Sequence, residues 1–384
     1  MYLRPHTQIL LFLPFFMPPA YAIIMFMEDI KMIKTTELAY SYAGFFLGAG
    51  YLSGQELWQF FGVYGKNGIF GIVLAIVSLA LLGILLFAVT RSAGTEEFDR
   101  AVIRFYSPMA LRTFALLEMF FTFAVFVVMS AGGGALFEQV LGVHHAIGSA
   151  LFCVAVAAVS LKGLRGLLKA LSLLVPVLTA TTLLIAILAL IRNNGAHIIL
   201  APAPVTNPLV GNWVISAITY ISYNFFGAVC VCVPMAKHLT PKTAKLGPAL
   251  GCAILGIIAA AVFSSMAMNP SSTDTQLPML AIAQNIDPRL GYLSAVPLLF
   301  GMFGTSLSAI VAVLSYGESR IPSLHSRRTQ VTAALAIIAW SGSLFGFDKL
   351  ISVLYPICGY VGIIVIVLLI ERRIYQLRHR ENQL

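Results

Sequence analysis

The sequence predicts a polytopic all-α membrane protein: ten spanning helices in two units of five, the second inverted relative to the first. Three observations carry this prediction. The 384-residue chain is 59% hydrophobic and only 10% charged, with a mean hydropathy of +0.91. No soluble domain has an interior that buries so much apolar surface. Its apolar runs are continuous over membrane-spanning lengths and do not alternate, which excludes a β-barrel. Its basic residues fall on alternate loops, and its span starts recur at a near-constant offset.

Residues 1–34 form an N-terminal extension. Positions 9–26 are apolar but hold Pro14, Pro18 and Pro19. They are either an extra helix or leader upstream of a later start such as Met27 or Met32. A signal peptide fits least, because the segment ahead of them has one Arg, Arg4, and no Lys, and no clear small-residue cleavage site follows. The ten-helix domain is expected over 35–375, with a cytoplasmic tail at 376–384. Its spans begin near Thr36, Gly68, Arg112, His144, Leu164, Asn212, Lys245, Leu290, Thr329 and Asp348. Spans six to eight start about 176 to 178 residues after spans one to three, and spans nine and ten about 184 after four and five. Five spans per unit turn the second unit upside down, the inverted-repeat layout of many secondary transporters. The repeats cover about 35–193 and 211–373.

Charge placement sets the orientation. Nineteen Lys and Arg residues, from Lys31 and Lys34 to Arg372, Arg373, Arg378 and Arg380, fall on one side. Only four, Lys66, Arg192, Arg289 and Lys349, fall on the other. The positive-inside rule then puts the start of the first span and the C-terminus in the cytoplasm. The same placement accounts for the net charge of +9 as topology, not as a nucleic-acid surface. The setting expected is a cytoplasmic (inner) membrane, which the family resemblance given below makes bacterial. The five cysteines all lie in apolar spans without zinc-type spacing and read as small core hydrophobes. Segment 95–107 is amphipathic and is expected along the cytoplasmic surface. In the outside loop 270–289, Pro278 can open a short helix, either a lid over an outer cavity or a plain connector.

The first span contains Gly48-Ala49-Gly50-Tyr51-Leu52-Ser53-Gly54-Gln55-Glu56. Each glycine costs a helix interior about 1 kcal/mol relative to alanine. The pairs Gly44/Gly48 and Gly50/Gly54 have close-packing spacing, but six residues turn through roughly 600°, so they face different ways. A break near Gly50–Leu52 accounts for both pairs and for the polar residues. Ser53 to Glu56 then matches a capping box for a second half-helix. Glu56 has two open roles, that cap or a proton carrier.

In the corresponding place of the second half, Ser222-Tyr223-Asn224 and Gly227 suggest that the sixth helix is discontinuous too. Paired broken helices point to a solute site at the repeat interface. The residues assigned to it are Gly48, Ala49, Gly50, Tyr51, Ser53, Gly54 and Gln55 with Ser222, Tyr223, Asn224 and Gly227. Thr305 and Ser306 in the eighth span, with backbone carbonyls at Gly48 and Gly50, are a candidate Na⁺ site, although such hydroxyls also bond their own helix. Glu118 lies roughly 9 Å into the third span and is either a second proton carrier or the partner of a basic residue such as Arg112. His144-His145 at an outer mouth reads as a solvated pair before a metal site. Glu318 reads as a gate or loop salt bridge with Arg320 or a neighbour. There is no HExxH, no nucleophile with a base and no P-loop, so neither an enzyme nor an ATP-driven pump is expected.

The stretch Gly48 to Glu56 resembles the first-helix motif GAGFASGQE of the YkvI-type bacterial membrane proteins, with Tyr51 and Leu52 in place of Phe and Ala. That family lies in the amino acid–polyamine–organocation (APC) superfamily. The resemblance implies the LeuT-type fold and transport of a small, amino-acid-like solute. It implies symport with Na⁺ or H⁺ and no other cofactor. Thr305 and Ser306 match the hydroxyl pair that ligates Na⁺ in sodium-coupled relatives. The expected partners are that solute and the lipid bilayer, with no nucleic acid. A sensor or accessory subunit that kept the fold and lost transport is the alternative.

Overall fold

The computed structural model describes residues 32–94, 108–161, 174–193, 207, 209–321 and 323–381. The expected N-terminal extension up to residue 31, the amphipathic segment 95–107, the start of the fifth span and residues 382–384 lie outside the described residues.

The first span is three pieces: α1 (Thr35–Phe46), α2 (Ala49–Leu52) and α3 (Gln55–Phe60). There follow α4 (Lys66–Ala93), α5 (Pro108–Leu141), α6 (His145–Ser160), α7 (Leu174–Arg192) and α8 (Trp213–Met235). The remainder is α9 (Pro241–Met268), α10 (Pro278–Ile286), α11 (Pro288–Arg320), α12 (Ser323–Ser326), α13 (Arg328–Ser343) and α14 (Phe347–Glu381). No strand occurs among the described residues, as the continuous apolar runs require. By length and composition α4, α5, α9, α11 and α14 each suffice to cross a membrane, while α6, α7 and α8 hold shorter apolar stretches.

The helix starts follow local chemistry. Asn212 caps α8, its side-chain oxygen accepting from Val214 N and Ile215 N at 3.0 Å each. Thr240 caps α9 with Pro241 in the first turn, and Asp287 caps α11 with Pro288 there. Proline fits that position because its missing N–H would be unpaired anyway. α10 opens on Pro278, as the sequence suggested. His144 caps α6, accepting from Ala146 N at 3.2 Å, and a ring nitrogen of His145 pairs with Ala131 O at 3.1 Å. His144 therefore caps the start of α6, and His145, the first residue of that helix, pairs with a carbonyl inside α5. Cys153, Cys232, Cys252 and Cys358 are buried free thiols; the Cys230 side chain lies outside the described ones.

The sixth helix corrects the expectation of a second break: α8 runs unbroken through Ser222, Asn224 and Gly227. Its polar side chains bond their own preceding turn. Ser222 Oγ donates to Ile218 O at 2.6 Å, and Asn224 Nδ2 donates to Tyr220 O at 3.0 Å. Such back-bonding satisfies hydroxyl and amide donors at membrane depth without opening the helix. α14 lies close along α8 because Gly359 and Gly362 face its carbonyls; a Cβ at Gly359 would stand 2.5 Å from Thr219 O. α9 packs on α1 and α4, α8 on α14 and α4, and α11 on α5 and α7. Aromatic side chains fill the centre, with Phe60, Phe61, Phe225 and Phe226 almost fully buried.

Candidate functional site

The chain leaves helical geometry twice within the first span. Leu47, at φ −78° and ψ 56°, is the centre of an inverse γ-turn, and Gly48 N accordingly donates to Phe46 O at 2.8 Å. One turn of helix follows. Gly54 then adopts φ 85° and starts α3, a left-handed conformation that glycine takes without a Cβ penalty. The break therefore flanks the expected Gly50–Leu52 position on both sides, and those residues form the short helical turn between.

The capping box is not formed. Ser53 closes α2, and its Oγ donates back to Gly50 O at 3.0 Å. Gly54 redirects the chain so that Glu56 turns away from Ser53 and folds against Gly50, where an added Cβ would fall on its carboxylate. Tyr223 Oη on α8 donates to Glu56 Oε2 at 2.8 Å. Other elements take the carbonyls freed at the break. Met279 N, in the first turn of α10, donates to Ser53 O at 2.9 Å, and Thr182 Oγ1 reaches Leu52 O at 3.4 Å. These contacts answer the rule that exposed backbone groups at membrane depth need partners.

A cavity of about 120 Å³ opens beside the break. Its walls are the end of α1, Gly48–Gly50, Glu56, one face of α5, Leu178 of α7, Tyr223, Asn224 and Gly227 of α8, Gly301, Thr305 and Ala309 of α11, and Tyr355 of α14. It is roughly ten times the volume that a single water demands.

Of the expected solute residues, the cavity gathers Gly48, Ala49, Gly50, Tyr223, Asn224 and Gly227, together with Glu56 and Thr305. Five others turn elsewhere. Tyr51 Oη donates to Leu255 O at 2.8 Å, and Ser53 is committed to Gly50. Gly54 packs against Met266 and Met279, and Ser222 against Gly362. Gln55 is 1% exposed with its Oε1 unpartnered and is not in the lining. Thr305 Oγ1 donates to Gly301 O at 3.0 Å, while the buried Ser306 hydroxyl has no partner and lies off the cavity wall. The structure therefore does not bring the adjacent hydroxyls to one wall. Glu118 is part-exposed on α5 and outside the lining. Glu318 pairs with Arg328, at 3.1 Å, and so ties α11 to α13.

Sequence reasoning missed Phe45, Phe121, Thr122, Val125, Met129, Leu178 and Tyr355. Most are apolar side chains in apolar spans and carry no local signal. Tyr355 has one, since it precedes Pro356 inside a helix, where a proline disturbs the backbone ladder. Among the described residues no group of three or more His, Cys, Asp or Glu could hold a metal ion.

No family model matches the chain. It is 28% identical over 332 residues to the uncharacterized membrane protein YkvI of Bacillus subtilis (strain 168), a match over 86% of this chain and 93% of that protein. It is 26% identical over 330 residues to the uncharacterized protein YyaD of the same organism, over 85% and 93%. These homologues bear out the resemblance read from Gly48 to Glu56, and the chain is a membrane protein. Its fold is similar to a solved manganese transporter of Eremococcus coleocola, crystallised with an aromatic bis-isothiourea substituted compound. That likeness has a TM-score of 0.58 at 14% identity and covers 89% of this chain and 88% of that one.

Proposed function

We propose that the protein is a secondary active transporter for a small organic solute of amino-acid-like character. Transport would run across the bacterial cytoplasmic membrane by alternating access, as symport with Na⁺ or H⁺, with the C-terminus in the cytoplasm. One observation carries the proposal. The first span is interrupted at the wall of a small cavity, and elements of both expected repeats enclose it. A binding site at the meeting of two repeats, beside a discontinuous helix, is the arrangement that lets one bundle rock against the other around a fixed solute.

The packing supports the LeuT-type inverted repeat of the APC superfamily. Exchange of the two halves maps the pairing of α1 with α9 onto that of α8 with α4. It maps α7 with α11 onto α14 with α5, and α7 with α9 onto α14 with α4. α5 and α11, the third and eighth spans, would move against the first and sixth. Thr305, which lines the same cavity as Gly48 and Gly50, is read as the hydroxyl that would serve a coupling Na⁺, and Glu56 as the carboxylate that would carry a proton.

The structural neighbour raises metal transport as a second reading. The lining weighs against it: among the described lining residues one carboxylate, Glu56, faces the cavity, whereas a divalent cation such as Mn²⁺ gathers several oxygen or nitrogen ligands. Purified protein in proteoliposomes tests the proposal. Accumulation of an amino acid or amine driven by a Na⁺ or H⁺ gradient supports it. Solute binding without flux under either gradient would identify the non-transporting sensor instead.

A further inference from the structure

We infer that Gly48 sets the upper size of the solute, which itself occupies the space of the missing side chain. The inference rests on the transporter reading and names the residue that decides how large a solute fits.

A glycine in a packed interior commonly answers to one of two demands. Either the backbone takes a conformation that other residues avoid, or a neighbour stands where the side chain would be. Three of the other glycines in the cavity wall meet the second demand. An added Cβ at Gly50 would fall on the Glu56 carboxylate. One at Gly227 would stand 3.2 Å from Phe45 and 3.3 Å from Phe121, and one at Gly301 would stand 3.1 Å from Leu178. Gly54, further along the break, meets the first demand with its φ of 85°.

Gly48 meets neither. Its φ of −75° and ψ of 170° are open to any L-residue. An added Cβ there has no atom within 4 Å. Nor is glycine needed as the N-cap of α2, since serine fits the same backbone and caps a helix better.

The neighbours fix where this space opens. From Ser41 to Leu57 every residue is buried except Gly44 and Gly48, and both line the cavity. In a segment otherwise sealed by protein, the exposure left to Gly48 is exposure to the cavity. Its backbone groups are engaged: Gly48 N donates to Phe46 O at 2.8 Å, and Gly48 O accepts from Leu52 N at 3.0 Å. What Gly48 gives the wall is chiefly room.

That room decides selectivity because the cavity is small, about 120 Å³. In a fitted apolar pocket one carbon more or less changes discrimination roughly ten- to two-hundredfold. A methyl or hydroxymethyl group at position 48 takes the place of the last part of the largest solute and leaves smaller ones their contacts.

The experiment is thermal-shift titration of the purified full-length wild type, Gly48→Ala and Gly48→Ser at fixed ionic strength. The probes are two series that lengthen by one carbon at a time: unbranched α-amino acids from glycine to norleucine, and primary amines from methylamine to hexylamine. The wild type should bind members of at least one series up to a longest accepted one. Without ligand, both variants should melt as the wild type does. Both should bind that longest member at least about tenfold more weakly and hold the shortest bound member within about threefold. Four results overturn the inference: a size limit and affinities unchanged in both variants, an equal loss at every chain length (the mark of a hinge), variants that melt far below the wild type, or no binding by any probe. A lowered size limit in binding, with no gradient-driven flux in proteoliposomes, would sink the transporter reading and leave this assignment standing. Gradient-driven uptake by the wild type, with the same size limit in Gly48→Ala, would do the reverse.

Discussion

Tyr223 donates its hydroxyl to Glu56 across 2.8 Å, and this bond ties the unbroken α8 to the far side of the break in the first span. Both side chains are almost fully buried. Removing the donor leaves a buried carboxylate short of a partner, a loss of about 1–3 kcal/mol. Tyr223→Phe is therefore expected to lower the melting temperature of the purified protein, and Glu56→Gln, which still accepts from Tyr223, to lower it less. Equal melting of Tyr223→Phe and wild type would show that the bond contributes nothing.

Gly48 and Gly50 are expected to differ. An added Cβ at Gly48 has no atom within 4 Å, whereas one at Gly50 falls on the Glu56 carboxylate. Gly48→Ala should be nearly neutral, and Gly50→Ala should cost about 1–3 kcal/mol through overpacking and abolish solute binding. In a double-mutant cycle, Glu56→Ala should relieve much of the Gly50→Ala destabilisation, because the colliding atoms are gone. Additive melting shifts would remove the proposed contact.

Gly54 carries the one left-handed conformation within the break. Gly54→Ala should destabilise by about 1–2 kcal/mol from the backbone alone, with more from the Met266 sulfur, which lies 2.7 Å from the added Cβ. Chemical denaturation in detergent measures this. A neutral result would mean that the turn can be made another way.

Sodium coupling separates the two neighbouring hydroxyls. Thr305 lines the cavity and Ser306 does not. If Na⁺ is the coupling ion, Thr305→Ala should abolish Na⁺ stimulation of uptake and Ser306→Ala should leave part of it. Na⁺ stimulation unchanged in Thr305→Ala takes that residue out of the coupling site.

Much of this was legible in the sequence, and the failures have physical causes. Hydropathy located the helices, because a membrane span must be apolar along its length; apart from the fifth span, whose expected start lies outside the described residues, the described starts fall within a few residues of those expected. Glycine with polar residues located the interruption in the first span. The same logic misread α8, where Ser222 and Asn224 bond back to their own turn and Gly227 makes room for Phe45 and Phe121. It also passed over Gly132, Gly133 and Gly134 in the intact α5, each of which receives a different neighbouring side chain or carbonyl. A glycine that opens the chain and one that admits a neighbour look alike until the packing is known. The Ser53–Glu56 pattern was a sound local motif overruled by Gly54, whose φ of 85° sends Glu56 to Tyr223. The α5 face was invisible because tertiary packing, not local pattern, brings it to the break, and Tyr355 had only the following Pro356 to mark it.

The most direct test of the account is uptake of radiolabelled amines and amino acids into proteoliposomes under imposed Na⁺ and H⁺ gradients, with Gly50→Ala alongside the wild type. The account predicts that the wild type concentrates at least one solute above its outside level, that an ionophore collapses the accumulation, and that Gly50→Ala shows none. Binding with no gradient-driven accumulation of any of them, or equal accumulation by Gly50→Ala, would contradict it.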